Sequence, residues 1–150
     1  MPQSLANLYV HLIFSTKERL PFLSLEVRPN LHAYLATVLA NLNSPAVLIN
    51  SVEDHVHILF NMGRTVTLAQ VVEEVKKSSS KWIKTQGPNL ATFAWQAGYG
   101  GFSVSESNVP KVANYIRNQE EHHRVKTFQE EYREFLEKHQ VQYDEQYVWD

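Results

Sequence analysis

Cysteine is absent from the 150-residue sequence. A disulfide framework and a thiolate metal site are therefore excluded, and the composition suits a reducing cytoplasm. Long apolar runs are also missing, because no stretch approaches the roughly 20 apolar residues that cross a bilayer. The segment from Met1 to Ser4 has no basic part followed by an apolar core. The sequence therefore predicts neither a signal peptide nor a membrane segment.

A strong net charge is the next property that the sequence lacks, since the formal charge at pH 7 is only −2. The charge is distributed unevenly. Residues 1–100 carry eight Lys and Arg against six Asp and Glu, whereas residues 101–150 carry six against ten. The total argues against strong nonspecific binding to nucleic acid, but the distribution leaves room for a basic surface on the N-terminal part.

The composition is that of an ordinary globular protein, with 43% hydrophobic and 20% charged residues. A chain of this length forms one domain that buries roughly 70% of the surface exposed by the unfolded chain. Internal repeats and low-complexity segments are not evident in the sequence. We therefore expect a single domain over residues 1–150.

Hydrophobic periodicity predicts four strands. The first runs from Leu5 to Ser15, with apolar residues on both faces, as in a central strand. The second covers Ala46 to Val52 and forms a hairpin with a third that begins at His55. The fourth is short and follows the glycines in the segment Trp95 to Ser105.

Helical spacing predicts the remaining elements. The first helix starts at Ser24 or Arg28, with a proline next to the second of these positions, and ends at Asn43. A second helix runs from Thr67 to about Gln86. A third covers about residues 108–124, and a C-terminal helix and tail occupy about residues 128–150. The second and fourth helices each begin with a capping-box sequence.

The predicted order is strand, helix, strand, strand, helix, strand, followed by further helices. This is the order of the α+β, ferredoxin-like (split βαβ) fold, in which a four-stranded antiparallel sheet carries helices on one face. The C-terminal helices come after that unit. Because this fold hosts many functions, including RNA-binding modules, the order of elements alone does not indicate a chemistry.

Two histidines in the third predicted strand are the first candidates for a functional site. Successive strand side chains point to opposite faces, so His55 and His57 share one face while Val56 and Ile58 share the other. At about 7 Å apart along the strand, two imidazoles can converge on one divalent ion or one phosphate. Taken alone, such a pair is more often two polar strand residues that face water or a partner.

The third predicted helix adds a tyrosine and a glutamine. At about 100° per residue, Tyr115 and Gln119 share one stripe beside the buried face. A phenol with a pKa near 10 is a poor nucleophile at neutral pH unless a cation stabilises the phenolate. Two imidazoles and an amide oxygen suit Mg²⁺ or Mn²⁺, with Mn²⁺ favoured by the imidazoles. Taken singly, Tyr115 also fits a boundary aromatic and Gln119 a solvated helix residue.

At these residues the sequence resembles the single-tyrosine HUH transposases of bacterial and archaeal insertion sequences, including their REP-associated relatives. The histidine–hydrophobic–histidine segment is His55-Val56-His57. The nucleophile segment is Tyr115 with Gln119 four residues on, followed by His122-His123. The resemblance also covers Trp95 to Ser105 and Thr127 to Leu136.

The resemblance implies metal-dependent cleavage and rejoining of single-stranded DNA. By analogy, His55, His57 and Gln119 bind Mg²⁺ or Mn²⁺, and Tyr115 attacks the scissile phosphate. The products are a 5′-phosphotyrosine linkage and a free 3′-OH. The resemblance further implies recognition of DNA hairpins at element ends and a homodimer whose active sites are shared between subunits.

Basic residues of the N-terminal part are the expected DNA contacts. Three of them lie on the face of the second helix opposite its buried stripe, a position equally usual for a solvated face. The five expected contacts are Lys17, Arg19, Lys77, Lys81 and Lys84. No role is assigned from the sequence to His11, His122 or His123.

Three alternatives to a transposase stay open. A domesticated HUH endonuclease would use the same chemistry on chromosomal repeats or in replication initiation. A noncatalytic ferredoxin-like module would bind RNA or single-stranded DNA through exposed aromatic residues. Its usual strand motif is matched only faintly, by Gly100-Gly101-Phe102. A metal hydrolase would use His55 and His57 without covalent catalysis.

Overall fold

A four-stranded antiparallel sheet forms the centre of the computed structural model, which describes residues 2–150. Its strands are β1 (Tyr9–Ser15), β2 (Ala46–Ser51), β3 (His55–Asn61) and β4 (Gly100–Val104). Their spatial order is β2-β3-β1-β4. This order confirms the predicted ferredoxin-like α+β fold. Met1, the first residue of the predicted domain, lies outside the described residues.

Five α-helices surround the sheet in the described part of the chain. They are α1 (Arg28–Asn41), α2 (Leu68–Ile83), α3 (Val109–Arg117), α4 (Gln119–His122) and α5 (Phe128–Lys138). Helices α1 and α2 pack on one face and contribute to the largest hydrophobic cluster. Helices α3 and α5 pack on the opposite face in two smaller clusters. None of the helices in residues 2–150 is long and apolar enough to cross a membrane.

Side-chain caps define where two of these helices begin. At α2, Thr67 Oγ1 accepts from the backbone of Gln70 at 3.1 Å, and Gln70 Oε1 accepts from the backbone of Thr67 at 2.9 Å. At α5, Thr127 Oγ1 accepts from the backbone of Glu130 at 3.2 Å. Both caps fall at the predicted positions, because a threonine oxygen satisfies a backbone N–H that has no partner within the helix.

Strand alternation in β3 separates the apolar core from a polar face. Val56, Ile58 and Phe60 are fully buried against α1 and α2. His55 and His57 point to the other face and are also fully buried, because the C-terminal helices cover that face. The predicted alternation is therefore confirmed, and neither histidine faces water.

The first strand is shorter than predicted. It begins at Tyr9 rather than Leu5, and Leu5 is 86% exposed. Tyr9 pairs with Asn61 and Val104, the last residues of β3 and β4. Among the described residues before Tyr9, Leu8 still accepts a backbone hydrogen bond from Met62 at 2.7 Å, but β3 and β4 have ended and the strand does not continue.

The predicted helix over residues 108–124 is corrected to two helices. Asn118, between α3 and α4, has φ −96° and ψ 24°. Its backbone N–H donates to the carbonyl of Tyr115 at 3.2 Å, and its side chain donates to the carbonyl of Asn114 at 3.0 Å. Asparagine side chains compete for backbone partners in this way and interrupt helices. The interruption separates Tyr115 on α3 from Gln119 on α4.

The C-terminal tail docks on the body of the domain. Trp149 packs against Phe128 and Tyr132 of α5. The backbone oxygen of Asp150 accepts from the N–H of Gly98 at 2.8 Å. The tail therefore braces α5 against the loop before β4 and holds that helix over the histidine face of the sheet.

Candidate active site

The two strand histidines converge on a single carboxylate of α5. Nε2 of His57 lies 3.0 Å from Oε1 of Glu131, and Nε2 of His55 lies 3.3 Å from the same oxygen. The Glu131 side chain is almost entirely inaccessible to solvent. A buried carboxylate in contact with two imidazoles marks this point as the centre of a polar site inside the domain.

A third imidazole and an amide complete the cluster. Nε2 of His123 lies 3.3 Å from Oε1 of Glu131 and 3.1 Å from Oε1 of Gln119. The Gln119 oxygen is also 3.4 Å from Nε2 of His55. The potential ligand atoms of the three histidines and Glu131 all lie within 4.8 Å of one another. This is the spacing of atoms that can share one metal ion.

The outward nitrogens of the three imidazoles are also hydrogen-bonded. Nδ1 of His55 lies 2.7 Å from Oδ1 of Asp54, and Nδ1 of His123 lies 2.8 Å from the carbonyl of Lys126. Nδ1 of His57 lies 2.8 Å from Nε2 of His11. These outer partners fix the ring orientations, as they commonly do around metal-binding histidines.

Tyr115 reaches the cluster from α3. Its hydroxyl donates to Oε2 of Glu131, and the amide nitrogen of Gln119 donates to the same oxygen at 3.4 Å. The phenol ring stacks on His122 with the centroids 4.4 Å apart. Nε2 of His122 is buried and has no hydrogen-bond partner among residues 2–150. One chain therefore brings the predicted nucleophile to the predicted histidine pair.

The electrostatics of the site keep the tyrosine protonated. Burial, followed by the charge of Glu131 and its hydrogen bond, raises the pKa of Tyr115 well above its usual value. Burial acts to raise the pKa of Glu131, but the neighbouring imidazoles, with His57 foremost, outweigh burial and hold that pKa far below its usual range. Because the phenol and an ionised carboxylate share a hydrogen bond, the protein groups alone do not activate the phenol.

The residues present fit a divalent ion. Burial lowers the pKa of His57, which favours the neutral imidazole that binds metals. Burial also acts to lower the pKa of His55, but Asp54 and Glu131 outweigh burial and leave that pKa raised. Imidazole nitrogens and carboxylate or amide oxygens form a donor set found for Mn²⁺ and other divalent transition ions.

A cavity of about 330 Å³ opens beside the tyrosine. Tyr115 and His11 form part of its wall, so the cavity adjoins the buried cluster. The aromatic rings of Phe102 and Phe135 also line it, together with residues of α3 and α5. Two lysines, Lys111 and Lys138, border the same space.

The five expected DNA contacts are not part of this cluster. Lys77 and Lys81 are exposed on α2 and Lys84 is exposed directly after it. This helix packs on the face of the sheet opposite the histidines. Lys17 and Arg19 lie in the turn after β1, where the Arg19 guanidinium is 5.9 Å from the centre of the Trp149 ring. The structure thus unites Tyr115 with the proposed ligands but leaves the basic residues apart from them.

Glu131 and His123 are the site residues that the sequence reasoning missed. One signal for Glu131 was present, because Phe128, Tyr132 and Leu136 are spaced as the buried stripe of a helix and Glu131 falls within that stripe. An acidic residue among buried positions needs a partner. His123 could not be related to Tyr115 by helical spacing, because the helix is interrupted at Asn118 between them.

Comparison with known protein families identifies a match over most of the chain. A family model described as "Transposase IS200 like" matches residues 4–119. That span contains His55, His57, Tyr115 and Gln119, and it ends before His123 and Glu131. None of the curated proteins matches the chain significantly.

Two solved structures share the fold. One is a crystal structure of a protein named as a transposase from Deinococcus radiodurans R1, with 24% identity, a TM-score of 0.62, and coverage of 79% of this chain and 98% of that chain. The other is a REP-associated tyrosine transposase bound to a REP hairpin, with 11% identity, a TM-score of 0.61, and coverage of 82% of this chain and 72% of that chain.

Proposed function

This chain belongs to the IS200-like transposase family, and on that basis we propose that it cleaves and rejoins single-stranded DNA at hairpin-flanked element ends. Tyr115 is the nucleophile, and His55, His57 and Gln119 hold a divalent ion, Mg²⁺ or Mn²⁺. One observation carries the proposal. The Tyr115 hydroxyl donates to the carboxylate of Glu131, and both strand histidines of the same chain contact that carboxylate.

The reaction exchanges one phosphate ester for another. The Tyr115 oxygen attacks the scissile phosphorus and forms a new O–P bond, while the bond from phosphorus to the 3′ oxygen breaks. The proton lost by the phenol is balanced by the proton gained by the 3′ oxygen, which leaves as a free 3′-OH. The 5′ end stays attached to Tyr115, so a second 3′-OH can reverse the step at a new junction without ATP.

The protein groups of the site prepare the phenol for this step. Oε2 of Glu131 accepts the hydrogen bond of the Tyr115 hydroxyl and so orients its oxygen. A bound divalent ion would supply the positive charge that stabilises a phenolate and the charge on the phosphate. Since burial and Glu131 both raise the pKa of Tyr115, that charge is what the site needs for cleavage at neutral pH.

DNA approaches the tyrosine through the cavity in this proposal. Phe102 and Phe135 offer rings on which bases stack, and Lys111 and Lys138 offer charges for phosphates. Hairpin recognition is proposed for this chain because the REP-associated tyrosine transposase of the same fold is bound to a hairpin. The five basic residues, Lys17, Arg19, Lys77, Lys81 and Lys84, remain the proposed contacts for more distant parts of the DNA.

A homodimer that acts in the cytoplasm is part of the proposal. The resemblance to transposases that share active sites between subunits supports the dimer. The geometry supports an active site within one chain, because the rings of Tyr115 and His57 of the same subunit have their centroids 6.1 Å apart.

The proposal predicts a covalent protein–DNA adduct that depends on Tyr115. The full chain is incubated with Mg²⁺ or Mn²⁺ and with labelled single-stranded hairpin DNA from the flanks of its own gene. Denaturing electrophoresis should show an adduct for the wild type and none for Tyr115→Phe. Tyr147→Phe is the matched control, because Tyr147 is 60% exposed on the tail, and it should form the adduct normally.

Two results would contradict the proposal. Cleavage by Tyr115→Phe would exclude the tyrosine as nucleophile and favour a metal hydrolase. Binding of the hairpin without any cleavage would favour a noncatalytic module. An adduct formed with chromosomal repeats but not with element ends would keep the chemistry and change the substrate to that of a domesticated endonuclease.

A further inference from the structure

The outward hydrogen bonds of two histidines determine where their protons are. His55 Nδ1 faces the carboxylate of Asp54, and His123 Nδ1 faces the carbonyl of Lys126. Both partners only accept hydrogen bonds, so each Nδ1 carries a proton. In a neutral imidazole the other nitrogen then presents a lone pair. The Nε2 atoms of His55 and His123 point into the cluster, so they are the nitrogens available to bind an ion.

Inside the cluster these two nitrogens face the oxygens of Gln119 and Glu131. Nε2 of His123 faces Oε1 of Gln119 at 3.1 Å and Oε1 of Glu131 at 3.3 Å. Nε2 of His55 faces the same two oxygens at 3.4 Å and 3.3 Å. Potential ligand atoms from His55, His57, His123 and Glu131 thus converge within 4.8 Å of one another in a buried space, where one ion can contact all of them.

The distances between these atoms match the edges of a coordination shell. For ligands about 2.1 Å from an ion, neighbouring ligand atoms are about 3.0 Å apart in an octahedron and about 3.4 Å apart in a tetrahedron. The contacts of His57, His55 and His123 with Oε1 of Glu131 measure 3.0, 3.3 and 3.3 Å. Three separations thus match neighbouring ligands of one ion, and all four potential ligand atoms lie within 4.8 Å of one another.

We propose that Glu131 and His123 bind the divalent ion in addition to His55, His57 and Gln119, so that the site is a metal centre with three histidines and one carboxylate. The proposal rests on the proposed function only for the location of the metal site. It adds two ligands that lie beyond the matched family region and on segments that follow the tyrosine helix.

The enlarged ligand set changes which ion the site prefers. Three imidazole nitrogens favour Mn²⁺, Fe²⁺, Co²⁺ or Zn²⁺ over Mg²⁺, which is bound mainly by oxygen ligands. Glu131 also links the ion to the nucleophile, because Oε1 faces the imidazoles while Oε2 accepts from Tyr115. A single carboxylate would therefore bind the ion and position the phenol.

Binding of Mn²⁺ to the full chain without DNA tests the ligand set. Calorimetry should give one Mn²⁺ per chain for the wild type and at least tenfold weaker binding for Glu131→Gln and for His123→Ala. Glu137→Gln is the matched control, since Glu137 is an exposed residue of the same helix, and it should bind as the wild type does. Circular dichroism and the melting temperature verify that each variant is folded.

Pulsed electron paramagnetic resonance of bound Mn²⁺ supplies a readout that a merely structural role would not change. The wild type should show three coupled imidazole nitrogens, and His123→Ala should show two. Two nitrogens in the wild type, or unchanged affinity in both Glu131→Gln and His123→Ala, would overturn the proposal. Absence of Mn²⁺ binding would also overturn it and would indicate protonated imidazoles paired with Glu131.

The two proposals fail in different experiments. Tyr115→Phe should keep three coupled nitrogens while it loses the DNA adduct. A wild type that binds Mn²⁺ through three histidines but forms no adduct would contradict the DNA chemistry and retain the metal centre. If the adduct depends on Tyr115 but the bound Mn²⁺ is coupled to only two imidazole nitrogens, the DNA chemistry is retained. Glu131 and His123 are then rejected as ligands.

Discussion

The carboxylate of Asp54 holds the ring of His55 through one hydrogen bond of 2.7 Å. Strand alternation extended back from His55 would point Asp54 to the opposite face of the sheet. Because β3 begins at His55, Asp54 is a turn residue, and its side chain is free to reach the outward nitrogen of the ring. It fixes the proton on Nδ1 and leaves Nε2 for the site.

Replacement of Asp54 should therefore weaken metal binding without loss of a ligand. We expect Asp54→Ala to lower the affinity for Mn²⁺ about 10- to 100-fold, because outer partners of metal-binding histidines have effects of this size. Calorimetry measures the change. Glu53→Ala is the control, since Glu53 is the adjacent exposed carboxylate. Equal affinity for the two variants would show that Asp54 does not orient His55.

At the scale of single elements, α2 depends on its cap. The reciprocal bonds between Thr67 and Gln70 satisfy backbone groups at the start of the helix. This helix buries Val71, Val72 and Val75 against the apolar face of the sheet. Its first turn therefore helps to fix the sheet that carries His55 and His57 on the other side.

Loss of the cap should destabilise the domain and leave the metal site intact. Thr67→Ala is expected to lower the free energy of unfolding by about 1 kcal/mol, the typical cost of a lost threonine cap. Urea denaturation measures it. Thr37→Ala in α1 is the matched control, because the Thr37 hydroxyl bonds only to the carbonyl of Ala33 within its own helix. A loss as large for Thr37→Ala would argue against a specific effect of the cap.

The interruption between α3 and α4 at Asn118 determines how Gln119 enters the site. A helix without it would continue the regular 3.6-residue period from Tyr115 to His123. In the structure Gln119 begins a separate short helix and is fully buried, with its side chain between His55 and Glu131. Two polar groups from neighbouring helices thus meet at one carboxylate.

At the scale of the whole molecule, the C-terminal part closes the histidine face of the sheet. Helix α5 brings Glu131 to the histidines, and the docked tail braces that helix through Trp149. Tyr115, the strand histidines and the carboxylate are consequently assembled from one chain. A partner subunit is not needed to complete this geometry.

Mixed inactive subunits should therefore remain inactive. Tyr115→Phe lacks the proposed nucleophile and His57→Ala lacks a proposed ligand, and a site within one chain cannot combine the intact halves. Adduct formation on hairpin DNA is the measurement. Two different affinity tags, followed by tandem purification, verify that mixed dimers have formed. Recovery of about a quarter or more of wild-type activity would instead show that the tyrosine helix acts on the partner, as the family resemblance implies.

Much of this architecture was predictable because it depends on local sequence patterns. The two-residue period of the third strand placed His55 and His57 on one face, and the threonine caps marked where α2 and α5 begin. The sequence leaves the start of α1 open between Ser24 and Arg28, and the helix begins at Arg28. The order of elements gave the ferredoxin-like fold, which the sheet order confirms. The resemblance at Tyr115 and Gln119 indicated the transposase family.

By itself, the sequence determined which side chains share a face within an element, because that depends only on the repeat of a strand or a helix. The tertiary structure alone decided what those faces meet. Glu131 is 74 residues from His57 along the chain, and no local period relates two segments so distant. Their contact depends on how α5 packs over the sheet, where a buried carboxylate finds the partners that its charge requires.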